Sequence, residues 1–172
     1  LGVTDPGLAP LVEKRISAVI GALNEMVHGF DFARLLTLYY KAHCAGDDET
    51  KAKVLKWFRG EYATKTEARQ ELGVTIVITD DDWYEYLKLF ACFLKQAGYA
   101  GMLILIDELV NIYKIPNAIT RQYNYEKILT MYNDAMQGKA QYLGFILCGT
   151  PQCMEDPRRG VYSYEALRSR LA

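Results

Sequence analysis

Two adjacent carboxylates, Asp107 and Glu108, stand at the end of an uninterrupted apolar run, Met102 to Ile106. Acids placed in this way suit phosphoryl transfer. That chemistry needs Mg²⁺ held near the β- and γ-phosphates and a water aimed at the γ-phosphorus. One carboxylate can hold the metal through its water shell, and the next can orient or deprotonate the water. Forty residues on, a second apolar run, Tyr142 to Cys148, ends in Gly149, Thr150 and Pro151. A hydroxyl at such a tip can reach a phosphate or the attacking water. Near the end of the chain, Arg168 and Arg170 flank Ser169. A guanidinium keeps its charge at any ordinary pH and presents a planar fork of donors to phosphate.

The apolar run ending in Asp107-Glu108 has the pattern of a Walker B element, and Thr150 stands in the position called sensor 1. The segment Tyr164 to Leu171 resembles the Ser-Arg box of AAA+ ATPases, where an arginine reaches a neighbouring subunit's γ-phosphate. Arg170 fits that role best and Arg168 next. Arg158 and Arg159 are further candidates for a phosphate or partner contact. Each feature also has a plainer reading. Asp107 can cap a helix starting at Leu109, Thr150 can belong to a turn without a ligand, and any one arginine can be a solvated surface charge.

These residues need elements to hold them. Met102 to Ile106 is too short and too evenly apolar for a surface helix, and reads as a strand buried on both faces. A helix over Arg121–Gln137, with Tyr125, Ile128, Leu129, Tyr132 and Met136 inward, separates it from the second apolar strand. Strand, helix and strand make a right-handed βαβ unit with parallel strands. Ligands bind outside the carboxyl ends of such strands, where Asp107, Glu108 and Thr150 lie. The earlier residues read as helices. The first follows Asp5-Pro6 and the second opens at Asp31 and closes at Gly46. A third, over Glu49–Arg59, buries Val54, Leu55, Trp57 and Phe58. Thr64 and Glu67 make a capping box for a fourth. Val74 to Ile78 is a short strand or an extended loop. Asp80 to Asp82 precedes an amphipathic helix with Trp83, Tyr86, Leu87, Phe90, Leu94 and Ala97 on its apolar face. Tyr123, Tyr125 and Tyr132 raise base stacking, but their helical spacing favours core packing.

Composition narrows the classes. Hydrophobic residues make up 51% of the 172 and charged ones 24%, with a formal charge of −1. No global basic field advertises nucleic acid. The four cysteines form no C-x-x-C pair and there are two histidines, so a zinc site is not expected. Cys92 and Cys148 read as buried free thiols, which with the absence of a signal peptide or a long apolar span points to the cytoplasm and away from membranes.

Several phrases resemble one family: Trp57 to Glu61, Ala68 to Val74, Gly98 to Gly101 leading into Ile106-Asp107-Glu108-Leu109, Asn124 to Lys127, Asn133-Asp134, Gly149 to Pro151, and Arg158 to Leu171. Together they resemble the P-loop ATP-binding proteins of the BREX phage-resistance systems. The resemblance implies an α/β, predominantly helical fold: a partial AAA+-like core with parallel strands near 102–107 and 142–149, and a helical insertion. Residues 1–79 would be the helical region and 80–172 the partial ATPase core. It also implies ATP and Mg²⁺ as cofactors, with Asp107 as the Mg²⁺-linked acid, Glu108 as the catalytic carboxylate and Thr150 as the sensor. The partners it implies are further copies in a homo-oligomer, other defence-system proteins, and DNA through regions outside this chain. Two other functions compete with an oligomeric ATPase: a regulatory nucleotide switch, and a protein-interaction module without nucleotide chemistry.

One part of the pattern is missing. No Gly-x-x-x-x-Gly-Lys-[Ser/Thr] occurs in these residues, and the first residue is Leu1 rather than Met. The expectation is a piece of a longer protein whose phosphate loop lies upstream. Backbone N–H groups and the lysine of that loop supply most ground-state nucleotide binding. Calorimetry on the 172 residues should therefore detect no micromolar Mg-ATP binding, and a micromolar isotherm would refute the expectation. Without a strand from that loop, the edge of Tyr142–Cys148 would also lie open and invite self-association or a covering helix.

Overall fold

The two apolar runs pair with each other. In a computed structural model describing residues 5–171, β1 (Met102–Ile106) lies parallel to β2 (Leu143–Leu147), in a register running from Met102 opposite Leu143 to Ile106 opposite Leu147. The helix between them, α7 (Ala118–Met136), supplies the crossover. It starts three residues before the predicted position because Asn117 caps it, accepting from Thr120 N at 3.0 Å.

The strands are not buried on both faces. Partners in a parallel register put their side chains on the same face. Leu103, Leu105 and Ile146 thus share one face, and they are 58%, 66% and 45% exposed. Met102, Ile104, Ile106, Leu143, Phe145 and Leu147 share the other, which is buried or half-buried. A uniformly apolar run shows no period, so it cannot say that only one side is covered. Beyond β2, no further strand pairs with its outer edge among the described residues.

The other helices are α1 (Leu8–Leu23), α2 (Gly29–Ala45), α3 (Asp48–Phe58), α4 (Lys65–Leu72), α5 (Trp83–Gln96), α6 (Val110–Lys114), α8 (Pro151–Glu155) and α9 (Glu165–Leu171), with a 3₁₀ turn at Val161–Ser163. Caps explain several boundaries. Asp47 accepts from Thr50 N at 2.9 Å to start α3, and Thr64 accepts from Glu67 N at 3.2 Å to start α4. Glu67's carboxylate pairs with Lys56 Nζ at 2.5 Å. Gly46 and Gly73 close α2 and α4 with φ of 70° and 69°, a left-handed conformation in which a Cβ is costly. Asp5 does not cap α1. It accepts from Gly7 N instead, and the helix begins at Leu8.

The chain divides after Tyr99 into two compact units. The first holds α1 to α5 around a core of Leu23, Phe32, Leu35, Val54, Trp57, Val74, Tyr86 and Leu89. Val74 to Ile78 is an extended loop rather than a strand, and Ile76's carbonyl accepts from Trp57 Nε1 at 2.8 Å. Helix α5, grouped by sequence with the 80–172 segment, packs through Tyr86 and Leu89 into this core. Its inward face is rotated from the expected stripe: Leu89 and Ala91 are buried while Ala97 is exposed. Leu55 is exposed as well. In α7, Met131 and Arg121 are buried while Met136 is exposed. Cys148 is exposed and Cys92 half-buried, whereas Cys153 is the buried thiol. No helix among the described residues is long and apolar enough to cross a membrane.

Candidate functional site

The parallel register brings the carboxyl ends of β1 and β2 side by side. Backbone bonds continue past both strands. Cys148 N donates to Ile106 O at 2.9 Å, and Leu109 N donates to Cys148 O at 2.9 Å. Asp107 and Glu108 leave β1 on one side of this stitch, and Gly149 and Thr150 leave β2 on the other. Gly149 is there for space: a Cβ on it would lie 2.5 Å from Cys153 Sγ and 3.2 Å from Leu109 Cβ.

Both carboxylates are exposed. Asp107 Oδ1 accepts from Glu108 N at 2.8 Å, and Glu108 Oε2 accepts from Asn111 Nδ2 at 3.1 Å. Glu108 has φ of 56°, a left-handed conformation that costs a non-glycine residue about 1–2 kcal/mol. It ends the strand alternation just past β1. Asp107 is not a helix cap. The N-cap of α6 is Leu109, with no side-chain hydrogen bond.

Thr150 is the N-cap of α8, accepting from Cys153 N at 3.4 Å. A hydroxyl has one donor and two acceptor lone pairs, so this bond leaves its O–H to donate. Pro151 at the first helical position needs no partner for a missing N–H.

The residues after α8 form a polar network that ties the two strand exits together. Tyr113 on α6 donates to Asp156 Oδ2 at 3.3 Å and receives a bond from Gln152 Nε2 at 3.1 Å. Asp156 Oδ1 accepts from the backbone N–H groups of Arg158 and Arg159 at 2.8 and 2.9 Å. Those two N–H groups hold the Asp156 carboxyl below its usual range. Tyr125 donates to Arg159 O at 2.6 Å, and burial pushes its phenol up to about 12.

The arginines of the Ser-Arg segment differ. Arg170 donates from Nε to Asn133 Oδ1 at 3.1 Å and from Nη1 to Ala166 O at 2.7 Å, while Tyr132 donates to its carbonyl at 3.3 Å. Arg168 is exposed and anchored by its backbone N–H to Tyr164 O. Of the three tyrosines, Tyr125 is buried and Tyr132 bonds to α9, while Tyr123 is exposed under Lys127 Nζ. Sequence reasoning passed over Asn111, Tyr113, Arg121 and Asn133 as site residues. Asn111, three residues after Glu108 on a helical turn, was findable from spacing.

Magnesium fits the donor set. Mg²⁺ prefers carboxylate oxygen and keeps several waters, so one or two carboxylates and substrate phosphates suffice. Asp107 offers an exposed carboxylate with one oxygen bound to a local N–H. Among the described residues, no group of three or more His, Cys, Asp or Glu forms a protein cage.

No curated protein and no solved structure matched the chain. A family model described as "BREX system ATP-binding protein BrxC/D" matches residues 2–172. With that match spanning nearly all of its length, the chain belongs to the family of BREX system ATP-binding proteins BrxC/D.

Proposed function

We propose that this chain carries the water-activating half of an AAA+-like ATPase that works as an oligomer in phage defence. The supporting observation is the placement of Asp107-Glu108 and Gly149-Thr150 at the carboxyl ends of two adjacent parallel strands, in a chain of an ATP-binding family. Asp107 holds the Mg²⁺ site through its free carboxylate oxygen. When bound, the metal neutralises charge on the phosphate oxygens. Glu108, oriented by Asn111, accepts the proton of the attacking water. Thr150 donates its O–H to the water or the γ-phosphate while its oxygen caps α8. Residues 1–79 then act as a helical insertion within the ATPase domain.

The reading needs a phosphate-cradling loop, which these residues do not contain. It also needs a second copy. Arg170, braced on Asn133, or Arg168, with its side chain exposed, faces the neighbour's phosphates. The outer edge of β2, which no further strand joins among the described residues, and the exposed Leu103, Leu105 and Ile146 are surfaces that further subunits or other parts of the whole protein would cover.

The test is phosphate release from Mg-ATP by the whole protein, with and without Asp107→Asn. Loss of the metal-linked charge is expected to lower turnover at least about tenfold. It should also raise the Mg²⁺ concentration needed for half-maximal rate. A parent protein without ATP turnover, or a variant with unchanged turnover and Mg²⁺ dependence, overturns the proposal.

A further inference from the structure

Arg121 is 8% exposed and is the one charged side chain in the core among the described residues. Neither it nor Arg159 has an ion-pair partner there. A guanidinium held this low in the surface loses part of its hydration, which an anion would offset. What the two arginines share is a neutral acceptor. Arg121 Nη1 donates to Ile115 O at 2.7 Å, and Arg159 Nη2 donates to the same oxygen at 3.3 Å. The two nitrogens are therefore no further apart than those two lengths laid end to end, and like charges at that spacing repel.

Asp156, whose charge acts on Arg159, makes no ion pair with either arginine. Asp156 has Oδ1 committed to two backbone N–H groups and Oδ2 to the Tyr113 hydroxyl. Arg158 and Lys114, both exposed, add positive charge beside the same turns. Arg159 lies over the Tyr113 ring, 5.8 Å from its centroid, a contact that narrows the positions its fork can take. Its bond to Ile115 lies beyond the usual N–H···O range and is easily exchanged. In Arg121 no nitrogen is both sealed from solvent and unbonded, so its remaining donors reach the surface. A doubly charged oxyanion suits two convergent forks better than a single carboxylate does.

We propose that Arg121 and Arg159 form an oxyanion notch, beside the turn from Ile115 to Asn117, that takes a phosphoryl group. The notch uses none of Asp107, Glu108 or Thr150, and it stands or falls apart from the hydrolysis reading.

Pyrophosphate titrated into the 172-residue chain at low salt, followed by NMR of the arginine Nε–Hε signals, tests this. Saturable binding is expected, with the Arg121 and Arg159 signals moving. Arg159→Gln should weaken it roughly tenfold or more, because a charge-assisted bond is lost. Arg159→Lys, which keeps the charge without the fork, should fall between. Arg159 is half-exposed, so its variants remain informative even where Arg121→Gln fails to fold. A thymidine oligonucleotide without a terminal phosphate separates the sources. Displacement of pyrophosphate by it identifies a backbone phosphate, and no displacement identifies a free phosphate. Unsaturable titration, or Arg159→Gln binding as tightly as the parent, overturns the proposal and leaves both arginines as clamps on the end of α6.

Discussion

Glu108→Gln in the whole protein is expected to slow ATP hydrolysis by about 10²–10⁴-fold, the range for removing a general base, while Mg-ATP binding persists. The substitution keeps the side chain's shape. Its amide can still pair with Asn111, which now holds Glu108 Oε2 at 3.1 Å. The left-handed backbone at φ 56° is set by the exit from β1, so it should survive. What disappears is the ability to take a proton from water. On the proposed reading, binding resides in the phosphate loop and the metal, which Gln leaves alone. The check is paired: single-turnover phosphate release for the rate, and equilibrium binding of a labelled nucleotide for affinity. A variant that hydrolyses at the parent rate sinks the assignment of Glu108. A motor loses cellular function with this substitution, whereas a nucleotide switch is locked in its ATP-bound state.

The second large effect is on stability. Trp57→Ala should destabilise the first unit by about 3–5 kcal/mol, the cost of truncating a buried large aromatic. Trp57 is 1% exposed and lies edge-on to both Phe58 and Tyr86, at centroid distances of 5.5 and 5.3 Å. Its N–H donates to the Ile76 carbonyl and so pins the loop from Val74 to Ile78 onto α3. The Ala variant opens a cavity between three elements and strands that carbonyl. Small domains lose roughly 4–8 °C in melting temperature per kcal/mol, so the unit should melt tens of degrees earlier or not fold. Trp57→Phe keeps most of the ring and loses the hydrogen bond, at a smaller cost of about 1–2 kcal/mol. Thermal melts followed by far-ultraviolet circular dichroism and Trp83 fluorescence give the comparison. Equal melting temperatures for parent and Ala variant would show that this cluster does not hold the unit together.

Neither carboxylate effect needs the tertiary structure to be foreseen. The acids follow directly on an apolar run, the hydroxyl follows a second one, and the intervening helix forces a parallel pairing. Those are local patterns, and β1 and β2 lie within a residue of where the runs predict them. Caps were legible for the same reason. Thr64 and Gly46 each act through bonds to backbone a few residues away, whereas the Asp47 cap of α3 was not singled out from the sequence.

Side chains whose roles depend on distant neighbours were not legible. Arg121 sits in the first turn of α7, where an arginine ordinarily points to water. It is buried because Tyr125, the turn at Ile115 and the segment carrying Arg159 close around it. Arg170 matches a motif by its neighbours in sequence, yet its guanidinium is braced on Asn133, thirty-seven residues earlier. The apolar strands predict a sheet but not how many of its faces are covered, since a run without period carries no directional information. The sequence by itself therefore determined the kinds of element, their order, their parallel sense and the acids at their tips. Only the tertiary structure decided that Leu103 and Leu105 face outward, that α5 joins the helical core, and that two arginines converge on one carbonyl. Backbone hydrogen bonding and capping act within a few residues, whereas burial and charge pairing depend on which remote segments arrive.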